Sequence, residues 1–260
     1  MPIVFIAFDL TDVTSFLDSS LSVMKDPGTM QKVIIMGASS GIGRELAMQL
    51  VKQNYHIAIT GRRTQHLEEL KAQHPEKILY ARIDITEISS LEQNLDELTK
   101  ELGGLDLLIL CSGIGDINIE LDFEVEERTI AVNVTGFTKI ADWTILYFQK
   151  QKYGQFAAIT SIAGMTGDNE APAYNASKAY QINYLSGLRK KMKKQQLPIY
   201  ITDIRPGFVD TDMAKGEGQF WVAPVNKAAS QVIAGIKAKR QLIYITRRWR
   251  IIGFILRLFG

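Results

Sequence analysis

Cysteine is almost absent from this chain of 260 residues. Cys111 stands alone, so no intrachain disulfide can form, and the composition suits a reducing compartment. Histidine is scarce too. His56, His66 and His74 are isolated from one another and form no plausible metal set. Excess charge is missing: 30 basic residues against 28 acidic ones leave a formal net charge of +2, which gives no reason to expect nucleic acid. No internal repeat or low-complexity tract breaks the chain. What remains is the make-up of a globular protein, 46% hydrophobic and 22% charged, long enough to bury one substantial core.

Short apolar, β-branched runs alternate with helical patterns. Strands are expected at 32–37, 55–60, 78–83, 105–110, 154–160, 199–205 and 242–246. Helices are expected near 42–53, 64–73, 88–102, 123–151, 173–195 and 226–239. Such alternation predicts an α/β fold: a doubly wound parallel sheet of seven strands with helices on both faces and right-handed crossovers. Ligands of such sheets bind at the carboxyl ends of the strands, where strand order reverses.

The first strand leads into Gly37-Ala38-Ser39-Ser40-Gly41-Ile42-Gly43 and then into an amphipathic helix. Glycines allow a sharp turn and close approach of a pyrophosphate. The helix start offers free N–H groups and the positive end of the dipole. In this strand–turn–helix setting the pattern predicts a dinucleotide site. A carboxylate at the end of the second strand would bond the ribose 2′-hydroxyl of NAD, whereas an arginine would take the 2′-phosphate of NADP. The chain reads Ile59-Thr60-Gly61-Arg62-Arg63 there, with no acid. Arg62 therefore points to NADP(H).

Tyr174 and Lys178 lie four residues apart in a helical stretch and share a face. A free phenol titrates near ~10, too high for acid–base work at neutral pH. A neighbouring ammonium favours the phenolate and lowers that value. The pair is thus a candidate general acid/base.

Taken together, Gly37-x-x-x-Gly41-x-Gly43, Ser161 and Tyr174-x-x-x-Lys178 resemble the short-chain dehydrogenase/reductase family, and the resemblance covers roughly residues 32–245. It implies a Rossmann-type domain and nicotinamide-dependent hydride transfer between a carbonyl and an alcohol. It implies catalytic roles for Asn133, Ser161, Tyr174 and Lys178. Ser161 would bond the carbonyl oxygen, Lys178 the nicotinamide ribose, and Asn133 would hold a water of a proton relay. Asp84 and Ile85 resemble the adenine-side contact, and Gly113 the close approach after the fourth strand. Pro206, Gly207, Val209 and Thr211 resemble the turn that holds the carboxamide. With Ser39, Ser40, Ile42 and Arg62 these make the expected NADP(H) contacts. One departure stands out: Leu110-Cys111-Ser112 replaces the family's usual Asn-Asn-Ala. The missing amides put the hydrogen bonds that tie neighbouring strands there in question, and Cys111 is expected as a small buried hydrophobe.

The organisation expected is an extension over 1–29, a catalytic domain over 30–246 and a basic amphipathic tail over 247–260. The extension lacks the basic and long apolar regions of a secretory signal. It is expected to be weakly structured, or else a helix packed on the domain. In the tail, Arg247, Arg250 and Arg257 cluster on one side of a helix and Trp249, Ile252, Ile255, Leu256 and Phe259 on another. Too short and charged to span a bilayer, it reads either as an interfacial helix or as one packing on protein. A cytoplasmic location follows, with peripheral contact at the inner membrane face as the extension of that idea. Residues 212–225, with Phe220 and Trp221, read as a lid over an apolar ketone or aldehyde, and Met165 and Asn169 as pocket candidates. Homodimers or homotetramers are expected from the resemblance. An enzyme of NADPH-dependent carbonyl reduction is the first reading. A non-catalytic NADP-binding protein on the same fold is the second.

Overall fold

The computed structural model describes residues 31–213 and 220–259, with backbone alone for 257–259. The expected extension over 1–29 and the middle of the expected lid lie outside the described residues. Seven strands build a single parallel sheet: β1 (Gln31–Met36), β2 (Tyr55–Gly61), β3 (Ile78–Arg82), β4 (Leu107–Leu110), β5 (Gly154–Ile159), β6 (Ile199–Pro206) and β7 (Leu242–Ile245). Their order is β3-β2-β1-β4-β5-β6-β7. Connection order reverses between β1 and β4, which opens a crevice at the carboxyl ends of those two strands.

Side chains alternate along a strand, so a strand covered on both faces must be apolar throughout. β1 shows this. Val33 and Ile35 enter one core, Ile34 and Met36 the other. The first core is closed by α1 (Gly41–Val51), α2 (Thr64–Gln73) and α7 (Val225–Lys237) through Leu46, Leu50, Leu67, Leu70, Val232 and Ile236. The second is closed by α3 (Ile88–Leu102), α5 (Phe137–Gln151) and α6 (Pro172–Lys194) through Leu95, Leu98, Ile140, Phe148, Leu185 and Met192. Each helix presents its apolar stripe at helical spacing, as Leu91, Leu95, Leu98 and Leu102 do along α3.

Two elements depart from the expected pattern. The stretch 123–151, expected as one helix, is α4 (Phe123–Ile130) and α5 joined by a π-helical segment, Ala131–Gly136. Composition does not announce such a segment, because its cause is tertiary: Asn133 inside it bonds the main chain of Ile114 in both directions. The tail forms α8 (Trp249–Phe259). One face of α8 packs inward through Trp249 and Gly253, while Ile251, Phe254 and Ile255 on the other side are exposed. The expected single apolar side is therefore two apolar sides.

Candidate active site

The glycine-rich turn closes directly over the end of β1. Gly37 has φ +84°, and a Cβ there would stand 2.6 Å from the Ser112 nitrogen. Only glycine lets the turn pass that close to the end of β4. Ser40 precedes α1 without a side-chain cap, and no acidic residue occupies the first turn. The positive helix end is left free for an anion. Across the crevice, the Thr211 methyl is 3.3 Å from where a Gly41 Cβ would be. The Pro206–Gly207 turn and the glycine-rich turn thus face one gap. Val209 is buried and pairs with Ala223, and the Thr211 hydroxyl donates to the Val209 carbonyl at 3.3 Å. This is a cradle that side chains would fill, and it fits a dinucleotide.

At the end of β2 the two arginines divide. Arg63 donates from Nε and Nη2 to Ser39 Oγ at 3.2 and 3.0 Å, and from Nη2 to Ser40 Oγ at 2.6 Å. Arg62, the residue singled out from sequence, is exposed and lies near Asp84. Arg63 is the one whose fork already reaches the glycine-rich turn. Burial pushes the Asp84 carboxyl up, but hydrogen bonds from Thr86 and the charges of Arg62 and Arg82 outweigh that and leave it below its ordinary range. Ile85 is buried, with its carbonyl 2.5 Å from where a Gly136 Cβ would be.

The four expected catalytic residues converge at the other end of the crevice. Tyr174 is hydrogen-bonded to Ser161. Lys178 Nζ lies 5.7 Å from the Tyr174 ring centre and 3.2 Å from where a Gly113 Cβ would be. Asn133 Oδ1 accepts from Ile114 N at 3.0 Å, and Nδ2 donates to Ile114 O at 2.7 Å and Ser177 Oγ at 3.0 Å. Gly115, which the sequence reading passed over, lies flat against the tyrosine: a Cβ there would stand 2.6 Å from the ring.

One expectation is corrected here. Tyr174 does not titrate low: desolvation raises its phenol above the ordinary value, against a smaller lowering by Ser161. Lys178 is not hydrogen-bonded to it. The ammonium donates to Ile159 O at 3.2 Å and to Gln181 Oε1 at 3.1 Å. Burial instead lowers Lys178 to about 8, against the pull of Asp203, and it stays charged at neutral pH. The Asn133 main-chain carbonyl is engaged by Gln181 Nε2 at 2.8 Å. Gln181, 1% exposed, therefore links Lys178 to Asn133 through its own amide. Its signal in the sequence was a polar residue on the Tyr174–Lys178 face, three residues further on.

The altered Leu110-Cys111-Ser112 stretch does not loosen the sheet. Cys111 N donates to Met36 O at 2.8 Å, extending the β1–β4 pairing by backbone alone. Cys111 is half-buried against the first core, and its surroundings push the thiol up to about 12, away from the reactive thiolate. Of the pocket candidates, Met165 is held by its sulfur against Arg205 Nη1 at 3.6 Å, and Asn169 is exposed. Among the described residues no cluster of His, Cys, Asp and Glu could hold a metal ion.

A family model described as short chain dehydrogenase matches residues 31–220. An uncharacterized oxidoreductase of Staphylococcus epidermidis is 30% identical over 187 residues, 70% of this chain and 80% of the relative. One of Mycobacterium tuberculosis is 31% identical over 194 residues, 71% of this chain and 76% of the relative. Among solved structures, a short-chain dehydrogenase/reductase from Burkholderia phymatum in complex with NAD superposes with a TM-score of 0.78 at 16% identity, over 88% of this chain and 93% of that one. At that identity the likeness speaks for the fold.

Proposed function

The chain belongs to the short-chain dehydrogenase/reductase family, and from that premise we propose that it is an NADP(H)-dependent oxidoreductase that reduces a carbonyl group to an alcohol. The observation that carries the reading is the convergence of Ser161, Tyr174 and Lys178 at the far end of the glycine-rich cradle. A module that only bound the dinucleotide would have no use for a phenol held by a serine beside a buried ammonium.

NADP(H), when bound, supplies or accepts the hydride. The main-chain groups around Gly37, Gly41, Ile42 and Gly43 would hold its pyrophosphate at the start of α1. Arg63 and Arg62, with Ser39 and Ser40, would hold the 2′-phosphate as a fork of donors. Asp84 and Ile85 would lie on the adenine side, and Gly113, Pro206, Gly207, Val209 and Thr211 on the nicotinamide side. Ser161 donates to the substrate carbonyl oxygen and stabilises the charge that grows there. Tyr174 passes its proton to that oxygen, so the carbonyl π bond is replaced by a new C–H and a new O–H bond. The tyrosinate left behind, with the Lys178 ammonium 5.7 Å from its ring centre, regains a proton from solvent. A phenol raised by burial remains protonated at neutral pH, the form that donates in the reducing direction, although the same shift makes it a weaker acid. The substrate class is an apolar ketone or aldehyde, met by Phe220 and Trp221 beside the turn. Assembly is as a homodimer or homotetramer.

Titration of purified protein by nicotinamide fluorescence tests the cofactor: NADPH should bind tightly and NADH weakly. Tyr174→Phe should then bind NADPH as the native chain does while losing carbonyl reduction by about 10²-fold or more. Turnover retained in that variant would overturn the mechanism, and binding of neither nucleotide would overturn the assignment of the cradle.

A further inference from the structure

α8 is apolar on opposite sides. Its inward side is Trp249, Ile252, Gly253 and Leu256; Trp249 is buried against Gly207 and meets Phe208 and Trp221 edge-on and Phe220 at a tilt. Its outward side carries Ile251 and Phe254, 62% and 64% exposed, with Ile255 beside them. A helix that is apolar on both sides is buried on both sides or meets a non-aqueous phase. Phe220, Trp221 and Val222, which follow the expected lid, and Met213 before it are exposed as well.

Charge decides which occupant fits. Eight of the 30 basic residues and none of the 28 acidic ones lie between Phe220 and Gly260, so the rest of the chain is net negative. Arg247, Arg248 and Arg250 are exposed at the start of α8, and Arg248 lies 6.0 Å from the Trp221 ring. Arg247 and Arg248 line, with Lys227, a shallow cleft beside Trp221 and Pro224. A second copy of this chain would bring the same unpaired cations against themselves. An anionic lipid surface offers phosphates to the arginines and hydrocarbon to Ile251 and Phe254, the pattern of an interfacial helix.

We propose that the outward face of α8, with Phe220–Val222 and the Arg247–Arg250 cluster, is a docking surface for an anionic lipid bilayer. No helix among the described residues is long and apolar enough to cross a membrane, so the contact is peripheral. Because the inward face of α8 covers the Pro206–Gly207 turn, docking sets the nicotinamide side of the crevice next to lipid. Delivery of an apolar carbonyl from the bilayer rests on the reductase reading; the docking itself does not.

The full chain should co-sediment with vesicles of phosphatidylglycerol and phosphatidylcholine and remain in the supernatant with phosphatidylcholine alone. Each arginine near an anionic surface contributes about fivefold to partitioning. Replacing Arg247, Arg248 and Arg250 together by Gln should therefore lower binding by about 10²-fold, and Ile251→Ser with Phe254→Ser should abolish it. NADPH titration of each variant checks that the fold is kept. Failure of the native chain to pellet with anionic vesicles overturns the proposal. So does a native oligomer that Phe254→Ser dissociates, which would make the face a contact between copies. Sedimentation needs no turnover, so loss of the reductase reading would leave this result standing.

Discussion

A glutamine amide one helical turn past Lys178 changes what holds the ammonium. Gln181 accepts from Lys178 and donates to the Asn133 carbonyl, where the family resemblance leads one to expect a water. A hydrogen bond to a charged group contributes about 1.5–3 kcal/mol when buried. Gln181→Met keeps the volume and removes both bonds. It should reduce kcat at least tenfold with KM for the carbonyl nearly unchanged, and lower the melting temperature by several degrees. The pH profile is the sharper readout. Lys178, lowered to about 8, is charged below that value and loses its proton above it. Carbonyl reduction should therefore decline as pH rises through about 8 in the native enzyme. Without its acceptor the ammonium is less stable, so in Gln181→Met the decline should begin at lower pH. In Gln181→Glu, with a carboxylate beside it, the decline should begin at higher pH. Unmoved profiles in both variants would make Gln181 a packing residue. Tyr174 and Lys178 were legible because chemistry and spacing coincide in the sequence, whereas Ser161 was reached through the family resemblance. The direction of the Tyr174 shift was not legible, because desolvation depends on what surrounds the ring, and Gly115 and Ser161 come from distant segments.

At the scale of the element, strand ends were legible to within about two residues. Apolar runs such as Val33–Met36 are bounded by charged or glycine residues that cannot continue a buried strand. The π-helical turn at Ala131–Gly136 was not, since its cause is the pairing of Asn133 with Ile114 across the fold. Nor was the division of labour after β2. Two adjacent arginines look alike in sequence, but the backbone turns between them and sends Arg63 to Ser39 and Ser40 while Arg62 stays beside Asp84. If that turn reads the 2′-phosphate, Arg63→Ala should weaken NADPH binding by about tenfold or more, the loss of one bidentate charged contact. NADH, which lacks that phosphate, should bind as before. An equal loss for both nucleotides would mean that Arg63 only braces the glycine-rich turn.

On the scale of the whole molecule, α5 and α6 lie side by side and leave a groove lined by Ile145, Leu146, Tyr180, Tyr184 and Leu188. Leu146 is 53% exposed, and Tyr180 stacks on Tyr184 at 5.5 Å between ring centres. Burial and the neighbouring Asp142, which accepts from its hydroxyl, raise the Tyr184 phenol, so Tyr184 stays protonated near neutral pH. An apolar groove flanked by two long helices is self-complementary across a two-fold axis, where each copy's ridge meets the other's groove. This is the surface on which the proposed homodimer would form, distinct from the cationic face of α8. Gly187 separates the two outcomes. A Cβ there meets nothing within 4 Å, so a large side chain costs the monomer no clash. Across a dimer interface the same side chain would strike the partner. Light scattering on the native chain should give twice the monomer mass, and Gly187→Arg should give the monomer with NADPH binding intact. A native chain of monomer mass would remove the dimer. A dimer surviving Gly187→Arg would place the contact elsewhere, and the sheet edge at β7 would be the next surface to probe.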